Sequence, residues 1–463
     1  MTARPSIKQR PNVLFLIADD HRFDGVGACG NPVVKTPTLD RLAEDGVSFE
    51  SIYTMGGQTA ALCVPSRAAL LTGANVFRAT VSGGEVGLGD TENPELWALN
   101  PDLATLPETL RREGYRTFGI GKWHNGKESF ARGFADGASI FFGGMGDHEH
   151  LPLHKYDPSG AFPDDAAEPS KTFSSERFAD AAIDYIRGHR EEEDPFFLYV
   201  AFTAPHDPRT PPKSYADLYP ADRIPLPANF MTEHPFDNGE LHVRDELLAT
   251  LPRAPDEIRR HLADYYGMIT HMDAQIGRIL QALDECRLAD RTIVVHTADH
   301  GLALGQHGLL GKQNLYEHSI HVPLILRGPG LPSGVHARGL GAQIDIFPTL
   351  CALTGTPLPE TVEGGSLIPS LQGEGAAGRE YVFAAYKSFQ RMASDGRWKF
   401  IRYYRAHGRG TDSIQLFDLL QDPGEMRNLA EDPAEQHHIR RLENELLRWQ
   451  KSVGDPLLEA RCP

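Results

Sequence analysis

Apolar runs of strand length alternate with amphipathic stretches of helix length through most of the chain. Asn12–Ala18 is almost wholly apolar and stops at Asp19-Asp20. That is the pattern of a strand buried on both faces of a parallel sheet. Thr38–Asp45 reads as a short helix ended by Gly46, and Thr105–Glu113 as another ended by Gly114. Tyr115–Gly121, Phe196–Phe202, Thr292–Ala298 and Val322–Arg327 read as further strands, Ser174–His189 and Asp256–Glu285 as amphipathic helices. This alternation predicts an α/β fold, a large mostly parallel sheet sandwiched by helices. After Gly373–Gly378 (GEGAAG), which reads as a linker, the pattern changes. Tyr381–Tyr386, Gln390–Tyr404 and Ile414–Leu419 read as short strands and Glu435–Val453 as a final helix. The expected division is a catalytic domain over 1–372 and a smaller C-terminal α+β subdomain over 373–463.

Composition narrows the function. The 463 residues carry a formal net charge of −17, which repels nucleic-acid phosphates and sets nucleic-acid binding aside. An anionic substrate would need positive charge gathered locally in a pocket. The apolar run at Val13–Ala18 is too short for a membrane span and ends in acids instead of a signal-peptide cleavage site. No membrane partner is expected. The expected location is cytoplasmic, extracytoplasmic only if a leader has been removed. Cys29, Cys63, Cys286, Cys351 and Cys462 are scattered without a CxxC pair, so neither a disulfide framework nor a zinc site is indicated.

Four predicted strands end in residues able to do chemistry. Asp19-Asp20 follows the first, Lys122 and His124 (GKWH) the second, His206 (APHDP) the third, and Asp299-His300 (TADHG) the fourth. Open α/β sheets bind ligands beyond the carboxyl ends of their strands. One polar strand end means little, but four bearing metal-ligand or anion-binding types point to a site. Separately, Cys63-Val64-Pro65-Ser66-Arg67 precedes the apolar run AALLTG. Pro65 suits a first helical turn, which puts Cys63 at a helix N-terminus. Free N–H groups there favour an anion and are expected to lower a thiol pKa.

CVPSRAALLTG resembles the signature of the type I, formylglycine-dependent sulfatases of the alkaline-phosphatase superfamily. PNVLFLIADD, GKWH, APHDP, TADHG, LLGKQNLYEHSIHVPLIL and LFDLLQDPGEMRNLA are similar to further motifs of that family, in the same order. The resemblance implies an alkaline-phosphatase-like fold and hydrolysis of a sulfate ester, either a small molecule or a carbohydrate. It implies that a separate maturation enzyme oxidises Cys63 to formylglycine. It also implies one calcium ion per subunit, held by Asp19, Asp20 and Asp299 with Cys63 and His300 beside it. Arg67 would steady the modified residue, Lys122 and Lys312 would hold sulfate oxygens, His124 would contact the formylglycine hydroxyl, and His206 would face the leaving oxygen. One departure is His300, where many members carry asparagine; a histidine suits calcium less well than an oxygen donor.

The chemistry agrees with these types. Lysines, arginine and metal neutralise an ester that would otherwise repel a nucleophile. A phosphonate monoester or phosphodiester hydrolase shares the same charge logic and is the alternative. A non-catalytic binder of sulfated glycans would not need a leaving-group acid. His21 is expected either to line the pocket or to sit in a solvated loop. Gln306, His307, His318 and His321 are minor candidates for substrate contact. Asp245-Glu246 is expected on a surface loop or helix start.

Overall fold

The computed structural model describes residues 10–82, 94–371 and 378–461. Residues 373–377 of the GEGAAG stretch and Cys462 lie outside the described residues. The main sheet runs in the order Val335–Ala337, Val47–Tyr53, His321–Arg327, Thr292–Ala298, Asn12–Ala18, Phe196–Ala201, Arg116–Lys122 and Asp136–Phe141. Asn12–Ala18 sits in its middle, parallel to both neighbours and buried at all seven positions. Helices flank the sheet. Pro37–Glu44 and Ser174–Gly188 both pack against the long Pro255–Glu285, while Cys63–Thr72 packs with Leu106–Arg112 and Ile346–Thr354. Their buried faces and the strands share one apolar core that includes Leu14, Ile17, Leu70, Phe178, Met272 and Phe347.

Three of these strands were not evident in the sequence: the short Val335–Ala337, Val47–Tyr53 and Asp136–Phe141. Val47–Tyr53 mixes polar Ser48, Glu50 and Ser51 with apolar residues, and Asp136–Phe141 opens on Asp-Gly-Ala-Ser. His321–Arg327 pairs antiparallel with both Thr292–Ala298 and Val47–Tyr53, so it runs against the rest of the sheet. This reversal matters for the site. The start of His321–Arg327 lies beside Tyr53, at the same edge where the parallel strands end.

In the tail, the predicted Gln390–Tyr404 run is two strands, Gln390–Ser394 and Trp398–Tyr403. Gly396 turns between them at φ 89°, and Asp395 Oδ1 accepts from the Arg397 and Trp398 N–H groups. With Val382–Tyr386 and Ser413–Asp418 they form an antiparallel sheet, on which Gln436–Val453 buries Ile439, Leu442 and Leu446. The edge of this sheet is completed by Gly56–Gly57, which pairs parallel with Ala385 and Tyr386. The tail is thus hydrogen-bonded to the segment leading into Cys63. A Cβ on Gly57 would lie 2.1 Å from Pro65 Cγ, so only glycine allows that approach. Among the described residues no helix is long and apolar enough to cross a membrane.

Candidate active site

The sequence-predicted residues converge at the carboxyl edge of the main sheet. Asp19 and Asp299 follow the neighbouring strands Asn12–Ala18 and Thr292–Ala298. The Asp299 N–H donates to Ala18 O at 3.1 Å, and the Asp19 N–H to Ala204 O at 3.1 Å. Asp20 adopts φ 63°, a left-handed conformation uncommon outside glycine, and its N–H donates to Asp299 Oδ1 at 3.0 Å. Strained backbone of this kind persists where the surroundings hold it. Lys122 ends the Arg116–Lys122 strand, and its Nζ lies 2.5 Å from Asp19 Oδ2. Lys312 arrives ahead of the antiparallel strand, with Nζ 2.5 Å from Asp20 Oδ1. Arg67, one turn into the Cys63–Thr72 helix, donates from Nε to Asp299 Oδ2 at 2.7 Å and from Nη1 to Lys122 O at 3.0 Å. Three buried acids therefore meet three buried cations. Groups desolvated this far are tolerable only when paired.

Cys63 opens its helix as expected, and its Sγ lies 3.1 Å from His124 Nδ1. His124 sits at φ 62°. A Cβ on Gly144 would come within 2.8 Å of His124 Cε1, so the bare backbone at 144 gives the ring its space. His206 donates from Nδ1 to Asp207 O at 2.8 Å, which leaves Nε2 facing Asp20 Oδ2 at 3.6 Å. His300 donates from Nδ1 to Gly301 O at 3.0 Å. Its Nε2 and Asp19 Oδ1 are buried without a protein hydrogen-bond partner among the described residues. Asp19, Asp20 and His206 bring one ligand atom each to within 4.8 Å of one another.

Electrostatics follow from burial and these pairings. Burial alone would raise the Asp19 carboxyl, but Lys122, His206 and Arg67 hold it well below the usual carboxylate range. Burial raises Asp20 despite Lys312 and His206. Burial, then Lys122 and Arg67, keeps His124 neutral by lowering it far below the usual imidazole range. Cys63 corrects the sequence expectation. Burial pushes its thiol up, and Lys122 and Lys312 only partly oppose this, so the helix start does not make a ready thiolate.

A cavity of about 480 Å³ opens onto Cys63, His124, His206 and Lys312. Its remaining walls include Trp97, Met145, Val243, Arg244, Asp245 and Gln313, none singled out from sequence as site residues. Gln313 lies within a motif, directly after Lys312, and the others lie outside the motifs on segments whose composition resembles ordinary loop. Asp245-Glu246 does begin a short helical turn, Arg244–Leu248, but it is not a surface feature. Asp245 lines the cavity, while Glu246 pairs with buried Arg253 and accepts from the Leu310 and Gly311 N–H groups. His21 is neither solvated nor on the cavity: it is buried and donates from Nε2 to Gly25 O. His307 stacks on Tyr316 and His321 on Phe23, and neither they nor Gln306 and His318 line the cavity.

Comparison with known proteins agrees with this geometry. The family model described as Sulfatase matches residues 11–356, and one described as N-sulphoglucosamine sulphohydrolase, C-terminal, matches 305–452. The chain is 27% identical to N-acetylglucosamine-6-O-sulfatase of Bacteroides thetaiotaomicron, over 97% of this chain and 88% of that one. It is 29% identical to an arylsulfatase of Clostridium perfringens, over 95% and 94%. The solved structure of BT4656 in complex with D-glucosamine-2-N,6-O-disulfate superposes with a TM-score of 0.78 at 24% identity, covering 96% of this chain and 98% of that one.

Proposed function

The chain belongs to the sulfatase family and hydrolyses sulfate esters, and we propose that it does so with a formylglycine made from Cys63 and a bound calcium ion. The observation that carries this reading is the convergence on Cys63 of two buried lysines and a neutral histidine, with His206 on the same cavity. The donor set suits a hard cation: three carboxylates, with one Asp19 oxygen buried and without a hydrogen-bond partner among the described residues. Asp19, Asp20 and Asp299 would hold the ion, with position 63 and His300 beside it. Bound there, it would withdraw charge from the ester oxygens.

Position 63, oxidised by a maturation enzyme and hydrated, would supply two geminal hydroxyls, one to attack sulfur and one to expel sulfate afterwards. The chain's own residues then have definite tasks. Lys122 and Lys312 offer ammonium groups to the sulfate oxygens. Arg67 reaches from the helix that carries position 63 to Asp299 and fixes that helix against the acids. His206 has Nδ1 committed to Asp207 O, so Nε2 faces the site and can give its proton to the departing alcohol. His124, beside position 63 and held neutral, can accept the proton of the second hydroxyl. The substrate class proposed is a sulfated sugar or a small organic sulfate.

The test is a side-by-side assay of matured, calcium-loaded enzyme on aryl sulfate, monosulfated sugars, a phosphodiester and a phosphonate monoester. Sulfate esters are expected to give the highest kcat/KM. A clear preference for the phosphonate or phosphodiester would replace this reading with the alternative.

A further inference from the structure

One side chain on the cavity is held in a way that none of the reaction steps uses. Arg244 donates from Nη1 and Nη2 to the two oxygens of Asp207, both at 2.8 Å. It also donates from Nε to Asp245 Oδ1 at 3.1 Å, with Nη2 2.9 Å from the same oxygen. Asp245 is fixed from behind by Gln313 Nε2 at 2.8 Å, and Gln313 in turn donates to Ala60 O. Asp207 directly follows His206. The guanidinium is thus clamped beside the residue that faces the leaving oxygen, yet its side chain stays 43% exposed.

A guanidinium has five N–H donors. Three are hydrogen-bonded to the two carboxylates, Nη2 also lies 2.9 Å from Asp245 Oδ1, and the second Nη1 hydrogen has no protein acceptor among the described residues. Two carboxylates also neutralise its charge. Such a group is poorly suited to pairing with a third anion, but well suited to donating one fixed hydrogen bond to a neutral oxygen. Trp97, Met145 and Val243 give the same cavity an apolar wall. An apolar wall with one rigid polar donor matches a sugar ring, which has apolar C–H faces and a hydroxyl rim.

Deepening the sulfate-ester reading above and resting on it, we propose that Arg244, clamped by Asp207 and Asp245, determines specificity for the alcohol half of the ester by donating to a neutral hydroxyl of a sulfated sugar. The sugar's second hydroxyl, not a second sulfate, is what it reads.

The experiment compares kcat/KM of matured wild type, Arg244→Ala and Arg244→Lys. The esters are 4-nitrophenyl sulfate, a set of monosulfated N-acetylhexosamines and hexoses, and disulfated analogues of the best of these. Arg244→Ala is expected to lose about ten- to a hundredfold more on the best monosulfated sugar than on 4-nitrophenyl sulfate, mainly through KM. Arg244→Lys is expected to recover only part of that loss, since an ammonium lacks the planar fork. The aryl ester, lacking the hydroxyl, also reports that each variant is folded. Equal losses on aryl and sugar sulfates would overturn the proposal. So would a wild-type preference for a disulfated sugar that Arg244→Ala abolishes, since that would make Arg244 an anion site. If matured wild type turns over none of these esters, the sulfate-ester reading itself fails, and this inference with it.

Discussion

Cys63 Sγ and His124 Nδ1 stand 3.1 Å apart, although 61 positions separate them in the chain. Cys63 is delivered by the segment that leaves the Val47–Tyr53 strand, pairs at Gly56–Gly57 with the tail sheet, and enters a helix. His124 is delivered two residues beyond the Arg116–Lys122 strand, in a left-handed conformation. On the same sheet edge Lys122 and Lys312, paired with Asp19 and Asp20, supply the ammonium groups that an anionic ester needs.

Calcium removal should lower both activity and melting temperature. Without the ion the acids rely on Lys122, Lys312 and Arg67 alone, and a ligand that binds only the folded state stabilises it. Thermal unfolding and turnover, measured before and after chelation and again after calcium is restored, check this. Full turnover in metal-stripped protein would remove calcium from the account.

Lys122→Ala and Lys312→Ala should each reduce kcat/KM on a sulfate ester by about a hundredfold or more, because each removes a cation aimed at developing charge. The comparison belongs in calcium-saturated protein, where loss of a lysine is least able to unfold the site. A variant with near wild-type kcat/KM would show that its lysine serves only to neutralise Asp19 or Asp20.

Away from the site, Glu425 should make stability depend on pH near neutrality. It shares Lys399 with Glu317, at 2.8 and 2.9 Å, in a buried cluster. Burial raises Glu425 from the ordinary 4.5 to about 7, with Lys399 opposing and Glu317 adding to the shift. A raised folded-state pKa means that the folded chain binds this proton more tightly than the unfolded chain. The contribution is therefore full below about pH 4.5 and is lost as pH rises through 7. Melting temperature should fall across that window in wild type, and Glu425→Gln should flatten the fall. An unchanged slope in the variant would assign the dependence to other groups.

Much of this was legible in the chain because the responsible patterns are local. Buried parallel strands show as apolar runs, and Asn12–Ala18 and Thr292–Ala298 fall where the run ends at an acid. Strands with polar faces escaped. Val47–Tyr53 is one, although it delivers Cys63 to the site. The Gln390–Ser394 and Trp398–Tyr403 hairpin merged into one run because a single glycine at 396 makes the turn. Within the site, residues in motifs were found and residues brought in by loops were not. Arg244 and Asp245 owe their position to contacts across the cavity with Asp207 and Gln313, which no local pattern encodes. The raised thiol of Cys63 has a related reason: burial depends on the whole fold, and here it outweighs both lysines.

The most direct test of the aldehyde mechanism is a single-turnover measurement on Cys63→Ser, purified as a calcium-loaded protein. Mass spectrometry of matured wild type should first find formylglycine at position 63, as a peptide lighter than its cysteine form. A serine at 63 offers one hydroxyl, which can attack sulfur, but it lacks the second hydroxyl needed to expel sulfate from within. Water would have to attack the sulfated serine in a crowded, charged pocket. The variant is predicted to release at most one equivalent of alcohol and then stall as a covalent sulfo-enzyme. Sustained turnover by Cys63→Ser at the wild-type rate would contradict the account, because the site would then work with an ordinary hydroxyl nucleophile.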